Sequence, residues 1–313
     1  MNILSLFDGI SCGQVAINRA GIKYDKYFAS EIDKTPIKIT QANYPNTIQL
    51  GDVTKVNVKD LPQINLLIGG SPCQGFSFAG DELNFGDPRS KLFFEYVRLL
   101  KELKPKYFLL ENVNMRKEFL DVISSHLGVK PLKINSKLVS AQNRVRYYWT
   151  NIPNVTIPED RSIMLKDILK EDYDGIWVWP RGYNKGGVQD YKGKSPSITT
   201  SSWQHNFLIY KGKRDSDCKI EGYIDCNAQG NRVYSPEGKS NCLNATSGGI
   251  AGNGNGMVLL DGAVRKFTPV EAERLQTLPD NYTNYVSENQ RFKAIGNGWT
   301  VDVIAHILRG IKD

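Results

Sequence analysis

The sequence is short of the residues that staple or anchor a chain. It holds five cysteines in 313 residues, with no CxxC pair, and three histidines, His126, His205 and His306, far apart along the chain. So thin and odd a cysteine set excludes a disulfide-stapled scaffold and fits reduced thiols in a cytoplasmic compartment. Scattered histidines without paired cysteines argue against a structural zinc site, and no metal is expected. No run of about 18 apolar residues occurs, so no membrane-spanning helix is expected. Met1–Gly13 has no basic n-region, and Ser5 and Asp8 break its apolar run, unlike a secretory signal. A strong charge imbalance is missing too: 40 basic against 33 acidic side chains leave a formal charge of +7.

What is present fits a soluble globular protein, with 40% apolar and 23% charged residues. The length suits one large domain or two modest ones. Asn2–Phe7, Tyr24–Ser30, Ile64–Gly69 and Tyr107–Leu110 read as buried strands. Gln14–Ala20, Lys34–Asn43 and Lys91–Leu103 read as the helices between them. That alternation over residues 1–150 predicts an α/β domain: a parallel sheet with helices on both faces. Residues 151–264 hold 15 of the 28 glycines and few periodic segments. They also contain a short repeat, Gly193-Lys-Ser-Pro-Ser-Ile-Thr-Thr-Ser and Gly238-Lys-Ser-Asn-Cys-Leu-Asn-Ala-Thr. This stretch reads as an inserted, loop-rich domain of short strands. In residues 265–313, Thr268-Pro269-Val270-Glu271 has the form of a capping box with proline in the first turn. A last helix is expected over Val301–Ile311, packing back on the first domain. The basic excess lies in residues 1–150, with 20 basic and 14 acidic side chains against 13 of each in 151–264. A polyanionic partner would meet the sheet domain first.

Four clusters carry chemistry. Phe7-Asp8-Gly9-Ile10-Ser11-Cys12-Gly13 follows the first strand and precedes a helix, where free N–H groups can face a ligand. Glu31, at the end of the next strand, is placed to accept from ribose hydroxyls, and Asp52 to accept from an adenine amino group. Ser71-Pro72-Cys73-Gln74-Gly75-Phe76-Ser77 follows an apolar strand, where an α/β enzyme can place a nucleophile. The Gly- and Asp-rich loop 75–90 after it reads as a lid. Glu111 ends the strand Leu109-Leu110-Glu111-Asn112-Val113, and a carboxylate there is costly without work or a partner. Gln142-Asn143-Arg144-Val145-Arg146 offers guanidinium groups that can clamp a phosphate or a base edge. Taken singly, a tight turn would account for the first, an inert buried cysteine for the second and a surface ion pair for each of the other two.

Together these residues resemble the DNA cytosine-5 methyltransferase family. The series FDGxxxG, Glu31, Asp52, SPCQGFS, ENV, QNRVR, a variable insert, RLQTLPD and IGNG runs nearly end to end. SLFDGI, YFASE, IGGSPC and LFFEYVRLL are similar to the animal de novo branch and to its bacterial and phage relatives. The resemblance implies a Rossmann-like class I S-adenosylmethionine-dependent methyltransferase sheet in residues 1–150. It also implies a smaller loop-rich β target-recognition domain in 151–264 and helices in 265–313 that return to the catalytic domain.

The implied reaction is methyl transfer from S-adenosyl-L-methionine to C5 of a flipped cytosine in double-stranded DNA. Cys73 would attack C6 as a thiolate, favoured by Arg144, while Glu111, as an acid of raised pKa, and Arg146 complete the catalytic set. Phe7, Asp8, Gly9, Ile10, Glu31, Ile32, Asp52, Val53, Ser71, Pro72, Leu92, Asn297 and Trp299 would contact the cofactor, with Phe7 and Trp299 sandwiching it. Gln74, Ser77, Arg89, Lys194, Ser195, Lys239 and Ser240 would meet DNA, the two lysines on phosphates. A cytoplasmic protein is expected, nucleoid-associated if prokaryotic or phage, with a monomer favoured and a restriction–modification setting implied. Two alternatives remain at this point: a transfer-RNA cytosine-5 methyltransferase and a non-catalytic relative that binds DNA or cofactor.

Overall fold

A computed structural model describes residues 1–71, 88–169, 238–239 and 267–312, together with six strands between residues 176 and 266. The main body is a seven-stranded sheet. Its strands are β1 (Asn2–Leu6), β2 (Lys26–Ser30), β3 (Ile48–Gln49), β4 (Leu66–Gly69), β5 (Tyr107–Val113), β6 (Leu132–Asn135) and β7 (Val145–Thr150). They lie in the order β3-β2-β1-β4-β5-β7-β6. β1 to β5 run parallel, while β7 is antiparallel to both neighbours. The four strands expected to run parallel do so, and the further strand β7 makes the sheet a mixed one. β6 and β7 are joined by a short loop with no crossover helix, which permits only an antiparallel return.

Strands buried on both faces read as continuous apolar runs, and β1, β2 and β4 do so. Alternate residues feed two cores. Ile3, Tyr27, Ala29, Leu66, Ile68 and Leu109 pack on one face with α1 (Cys12–Arg19), α2 (Lys34–Asn43) and the C-terminal helices. Leu4, Leu6, Phe28, Leu67, Phe108 and Leu110 pack on the other face with α3 (Pro88–Leu103) and α4 (Lys117–Leu127). α2 has the bounds expected of it, and Asp33 caps it by accepting from the Thr35 N–H. α3 begins at Pro88, inside the stretch expected as loop, because proline suits a first helical turn.

The insert contributes β8 (Ile176–Val178) and β9 (Gly187–Gln189) as one antiparallel pair. A separate four-stranded sheet holds β10 (Ile220–Tyr223), β11 (Arg232–Tyr234), β12 (Met257–Leu260) and β13 (Ala263–Lys266). β13 runs two residues past the expected boundary at 264. Leu165, Ile168 and Leu169, expected in the insert, share a core with Phe267, Leu275 and Phe292 of the C-terminal segment. The tail forms α5 (Pro269–Leu275), α6 (Glu288–Asn297) and α7 (Val301–Leu308). The expected capping box forms: the Thr268 N–H donates to Glu271 at 2.8 Å, and the Glu271 N–H donates back to the Thr268 hydroxyl at 3.3 Å. α7 stops three residues short of Ile311, in a turn around Gly310.

No described helix is long and apolar enough to cross a membrane, and no described group of His, Cys, Asp or Glu is arranged to hold a metal ion.

Candidate active site

Strand register builds the site. Leu6 pairs with Ser30 on one side and Gly69 on the other, and Gly69 pairs with Leu110. The next residue on each strand is Glu31, Phe7, Gly70 and Glu111, so these four stand in one row at the carboxyl edge. The strand order reverses between β1 and β4, which makes the middle of that row the crevice where α/β sheets bind ligands.

The β1 turn is wound tightly. Phe7, Gly9 and Ser11 all have positive φ, at 57°, 58° and 56°. For a side chain as large as Phe7 that conformation costs on the order of 1–3 kcal/mol, a strain typical of ligand-binding turns. The turn is tied to β2: the Asp8 N–H donates to the Ser30 carbonyl at 3.1 Å and the Gly9 N–H to Glu31 Oε2 at 2.9 Å. Glu31 Oε1 accepts from the N–H groups of Ile32 and Asp33. A carboxylate has about four acceptor sites, so Glu31 retains one beyond these three bonds. Ile32 beside it is 74% exposed, an apolar platform at the strand end. Asp52 lies three residues past β3, its Oδ1 taken by the amide and hydroxyl of Thr54. Those bonds hold its carboxyl below the ordinary range.

Asp8 points inward. Tyr27 donates to its Oδ1 at 2.7 Å, and the Ser11 hydroxyl donates to its Oδ2. Burial pushes its pKa up to about 6 despite these bonds. Cys12, 3% exposed at the start of α1, has its thiol pushed up to about 12 by the same cause, which keeps it protonated and inert. Ile10 and Val53, expected at the cofactor, bury their side chains in the two cores. Only their backbones remain to meet a ligand.

The Trp299 ring lies against the β4 end and Gly13. A Cβ placed on Gly70 would stand 2.9 Å from the Trp299 Nε1 and 3.1 Å from Glu111 Oε2. Gly70 thus lets indole and carboxylate come together over the β4 end. Phe7 packs with the α3-side core and Trp299 with the α1-side core, so the two rings flank the crevice from opposite faces. Leu92 packs with Phe7's core and Asn297 ends α6, exposed.

Glu111 is buried, and Arg146 Nε stands 3.0 Å from its Oε1. β7 makes that pair, because Arg146 opposes Val113, two residues along β5 on the same face. Arg144 is buried elsewhere, its Nη2 donating to the carbonyls of Gly296 and Gly298 at 3.2 and 3.1 Å. It therefore braces the turn that carries Trp299. Asn112 donates to the Ser71 hydroxyl at 3.3 Å, which fastens the start of the SPCQ segment beside Glu111. Pro72, Cys73, Gln74, Ser77, Lys194, Ser195 and Ser240 lie outside the described residues, as does the Arg89 side chain.

Lys239 requires correction. Expected on a DNA phosphate, it is 5% exposed, and its ammonium donates to the carbonyls of Lys137, Ser140 and Ile163. A charge committed to buried carbonyls is removed from any phosphate. Sequence reading also missed Gln276. Its amide donates to the carbonyls of Ile295 and Gly298, while its Oε1 accepts from Thr300 at 2.9 Å. Gln142 donates to the neighbouring Leu275 carbonyl at 3.1 Å. The RLQTLPD motif signalled that stretch but not its duty, which is to join α5, the IGNG turn and the QNRVR segment.

Sheet, switch point and strand-end acids together define a class, the Rossmann-like S-adenosylmethionine-dependent methyltransferases. A model of the C-5 cytosine-specific DNA methylase family matches residues 1–313, and the chain belongs to that family. It is a DNA cytosine-5 methyltransferase. It is 31% identical over 321 residues to the type II methyltransferase M.NlaX of Neisseria lactamica, across 99% of this chain and 96% of that protein. It is 27% identical to M.HhaI of Haemophilus parahaemolyticus, across 99% and 94% of the two chains. Among solved structures, a methyltransferase of Entamoeba histolytica superposes with a TM-score of 0.72 at 17% identity, covering 99% of this chain and 97% of that one.

Proposed function

We propose that the strand-end row is where this chain methylates C5 of a cytosine turned out of double-stranded DNA, through a transient bond between the Cys73 sulfur and C6. The carrying observation is the row itself. It lines up Glu31, Phe7, Gly70 and Glu111, with Arg146 on Glu111 and Cys73 three residues along the chain from Gly70.

The cofactor half of the row fits S-adenosyl-L-methionine. Glu31 and Asp52 keep acceptor capacity for hydroxyl and amino groups, Ile32 offers an apolar platform, and Phe7 and Trp299 present aromatic faces that suit a sulfonium. When bound, that cofactor supplies an electrophilic methyl group. The chain's own residues make C5 able to take it. The Cys73 thiolate forms the C6–S bond, and Glu111 delivers a proton to N3, so electron density collects at C5. Once C5 carries the methyl group, a solvent water takes the C5 proton, the C5–H electron pair re-forms the C5=C6 double bond, the C6–S bond breaks with its pair on sulfur as thiolate, and the Glu111 carboxylate takes back the N3 proton. Arg146 keeps the Glu111 carboxyl turned toward the base. Stacked cytosine cannot enter such a crevice, so the base must leave the helix. Residues 170–266, with the β10–β13 sheet, form the target-recognition domain in this reading, and the basic sheet domain supplies phosphate attraction.

The test is a covalent trap. The wild-type chain, with labelled cofactor, should methylate duplex DNA and form a stable adduct with DNA containing 5-fluorocytosine. Cys73→Ala should do neither while still binding cofactor. Undiminished transfer by that variant would overturn the nucleophile, and methylation of transfer RNA in place of DNA would overturn the substrate.

A further inference from the structure

Two copies of a Gly-Lys-Ser sequence occur in the insert, and the lysine of the second has a setting unlike a surface lysine. Lys239 is 5% exposed, with its Nζ 2.9 Å from the Lys137 carbonyl, 3.3 Å from that of Ser140 and 2.6 Å from that of Ile163. Three converging carbonyls match the three donors of an ammonium, and charge-assisted bonds of this kind offset the cost of burying it. The adjacent Gly238 carbonyl accepts from the Leu165 N–H at 2.9 Å. This point of the insert is therefore docked firmly on the catalytic body.

It docks against the β6–β7 loop, through Lys137 and Ser140, and against Ile163 and Leu165 further along the chain. Lys137 and Ser140 lie just ahead of Gln142–Arg146. That loop is fixed on its other flank: Ser140 Oγ donates to the Leu275 carbonyl at 2.5 Å, and Gln142 donates to the same oxygen. Within it, Asn135 Oδ1 accepts from the Arg144 and Lys137 N–H groups, and the Ser136 N–H donates to the Arg144 carbonyl at 2.9 Å. The loop leads directly into Arg144, which braces the Trp299 turn, and Arg146, which pairs with Glu111.

We propose that Lys239 is a positioning residue for methyl transfer: it clamps the recognition segment to the β6–β7 loop and thereby sets Arg144 and Arg146, and through them Trp299 and Glu111. The inference rests on the reading of Glu111 and Arg146 as the reacting edge. A point donor is required here, since the planar fork of an arginine cannot converge on three carbonyls in the same space.

The experiment compares full-length wild type, Lys239→Met and Lys239→Arg on unmethylated genomic DNA from a methylase-free host. Four quantities are read: single-turnover methyl transfer, cofactor Kd, the salt dependence of DNA binding and the thermal midpoint. Transfer should fall about tenfold or more in both variants, with an unaltered salt slope and a rise in cofactor Kd, through Trp299, that is smaller than the loss of transfer. A slope reduced by about one in the Met variant and restored by Arg would put Lys239 on a phosphate and overturn the clamp. Unchanged transfer would overturn it as well. So would a loss that vanishes once each variant is assayed well below its own midpoint, since a merely structural lysine behaves that way. If neither variant folds, Lys239→Gln, which keeps an amide donor on a shorter stem, is measured in the same way. Failure of all three to fold would make the lysine a folding determinant and overturn its separate positioning role. A wild-type chain that methylates nothing would instead sink the reading of the site.

Discussion

The two halves of the strand-end row hold their acids by different means. On the proposed cofactor side, Glu31 and Asp52 are held by backbone N–H groups and a nearby hydroxyl, all within a few residues except the Gly9 amide. On the reaction side, Glu111 is held by the guanidinium of Arg146, 35 residues away and on an antiparallel strand. Local turns suffice to present acceptors to a bound nucleoside. The carboxylate on the reaction side is instead oriented by a cation whose place depends on the whole sheet being assembled. The chemistry should therefore be the more sensitive to distant changes, and the cofactor half the more self-contained.

The largest effect expected from this contrast is at Glu111. Glu111→Gln keeps the shape but removes the proton donor, and single-turnover transfer should fall on the order of 10²–10⁴-fold. Cofactor Kd should stay within about twofold, because no cofactor-side acid is touched. A comparable loss in cofactor binding would erase the distinction between the halves. Gly70 sits on the seam. Gly70→Ala places a Cβ 2.9 Å from Trp299 Nε1 and 3.1 Å from Glu111 Oε2, so one or both must shift. Displacing reacting groups by about 1 Å is worth on the order of 10²-fold in rate. Here kcat should drop together with cofactor affinity, since the indole serves one half and the carboxylate the other. A kcat effect alone would show Trp299 to be no part of the cofactor half.

A smaller change is expected within the cofactor side. Glu31→Ala removes the acceptor shared by Gly9, Ile32 and Asp33 as well as any bond to a ribose hydroxyl. Cofactor Kd measured by calorimetry should rise about tenfold, near 1.4 kcal/mol, with kcat at saturation nearly unchanged. A fall in kcat instead would mean that the turn transmits its geometry to the reaction half after all.

The same contrast explains what could be read from the chain. Local features were legible. Apolar runs gave β1, β2, β4 and β5 to within a few residues, Lys34–Asn43 was placed to the residue, and the Thr268–Glu271 capping box appears as written. Each depends on neighbours in sequence. The antiparallel β7 was not legible, because its direction follows from how the sheet closes on β5, not from its own residues. Nor was the split between the two arginines. Spacing alone does not say that Arg144 turns to the carbonyls of Gly296 and Gly298 while Arg146 turns to Glu111. Lys239 was read as surface charge, since nothing nearby in sequence signals three carbonyls from residues 137, 140 and 163.

The subtlest probe concerns Asp8, an acid beneath the cofactor turn that faces three hydroxyls, those of Ser5, Ser11 and Tyr27, and no cation among its hydrogen-bond partners. Burial raises its pKa from an ordinary 3.8 to about 6. Between those values the native state binds more protons than the unfolded chain, so this group makes stability fall as pH rises from about 4 to about 6. Above that window the carboxylate is ionised in both states, and its burial cost is fully felt. Asp8→Asn removes the titration. The difference in thermal midpoint between variant and wild type, which cancels every other titrating group, should move in the variant's favour across that window and then level off. A shift of about 4 °C is the scale to look for in a chain of this size. A difference that moves the opposite way would mean that Asp8 is held as a stabilised carboxylate. The cofactor half would then no longer hold this acid by local hydroxyls alone.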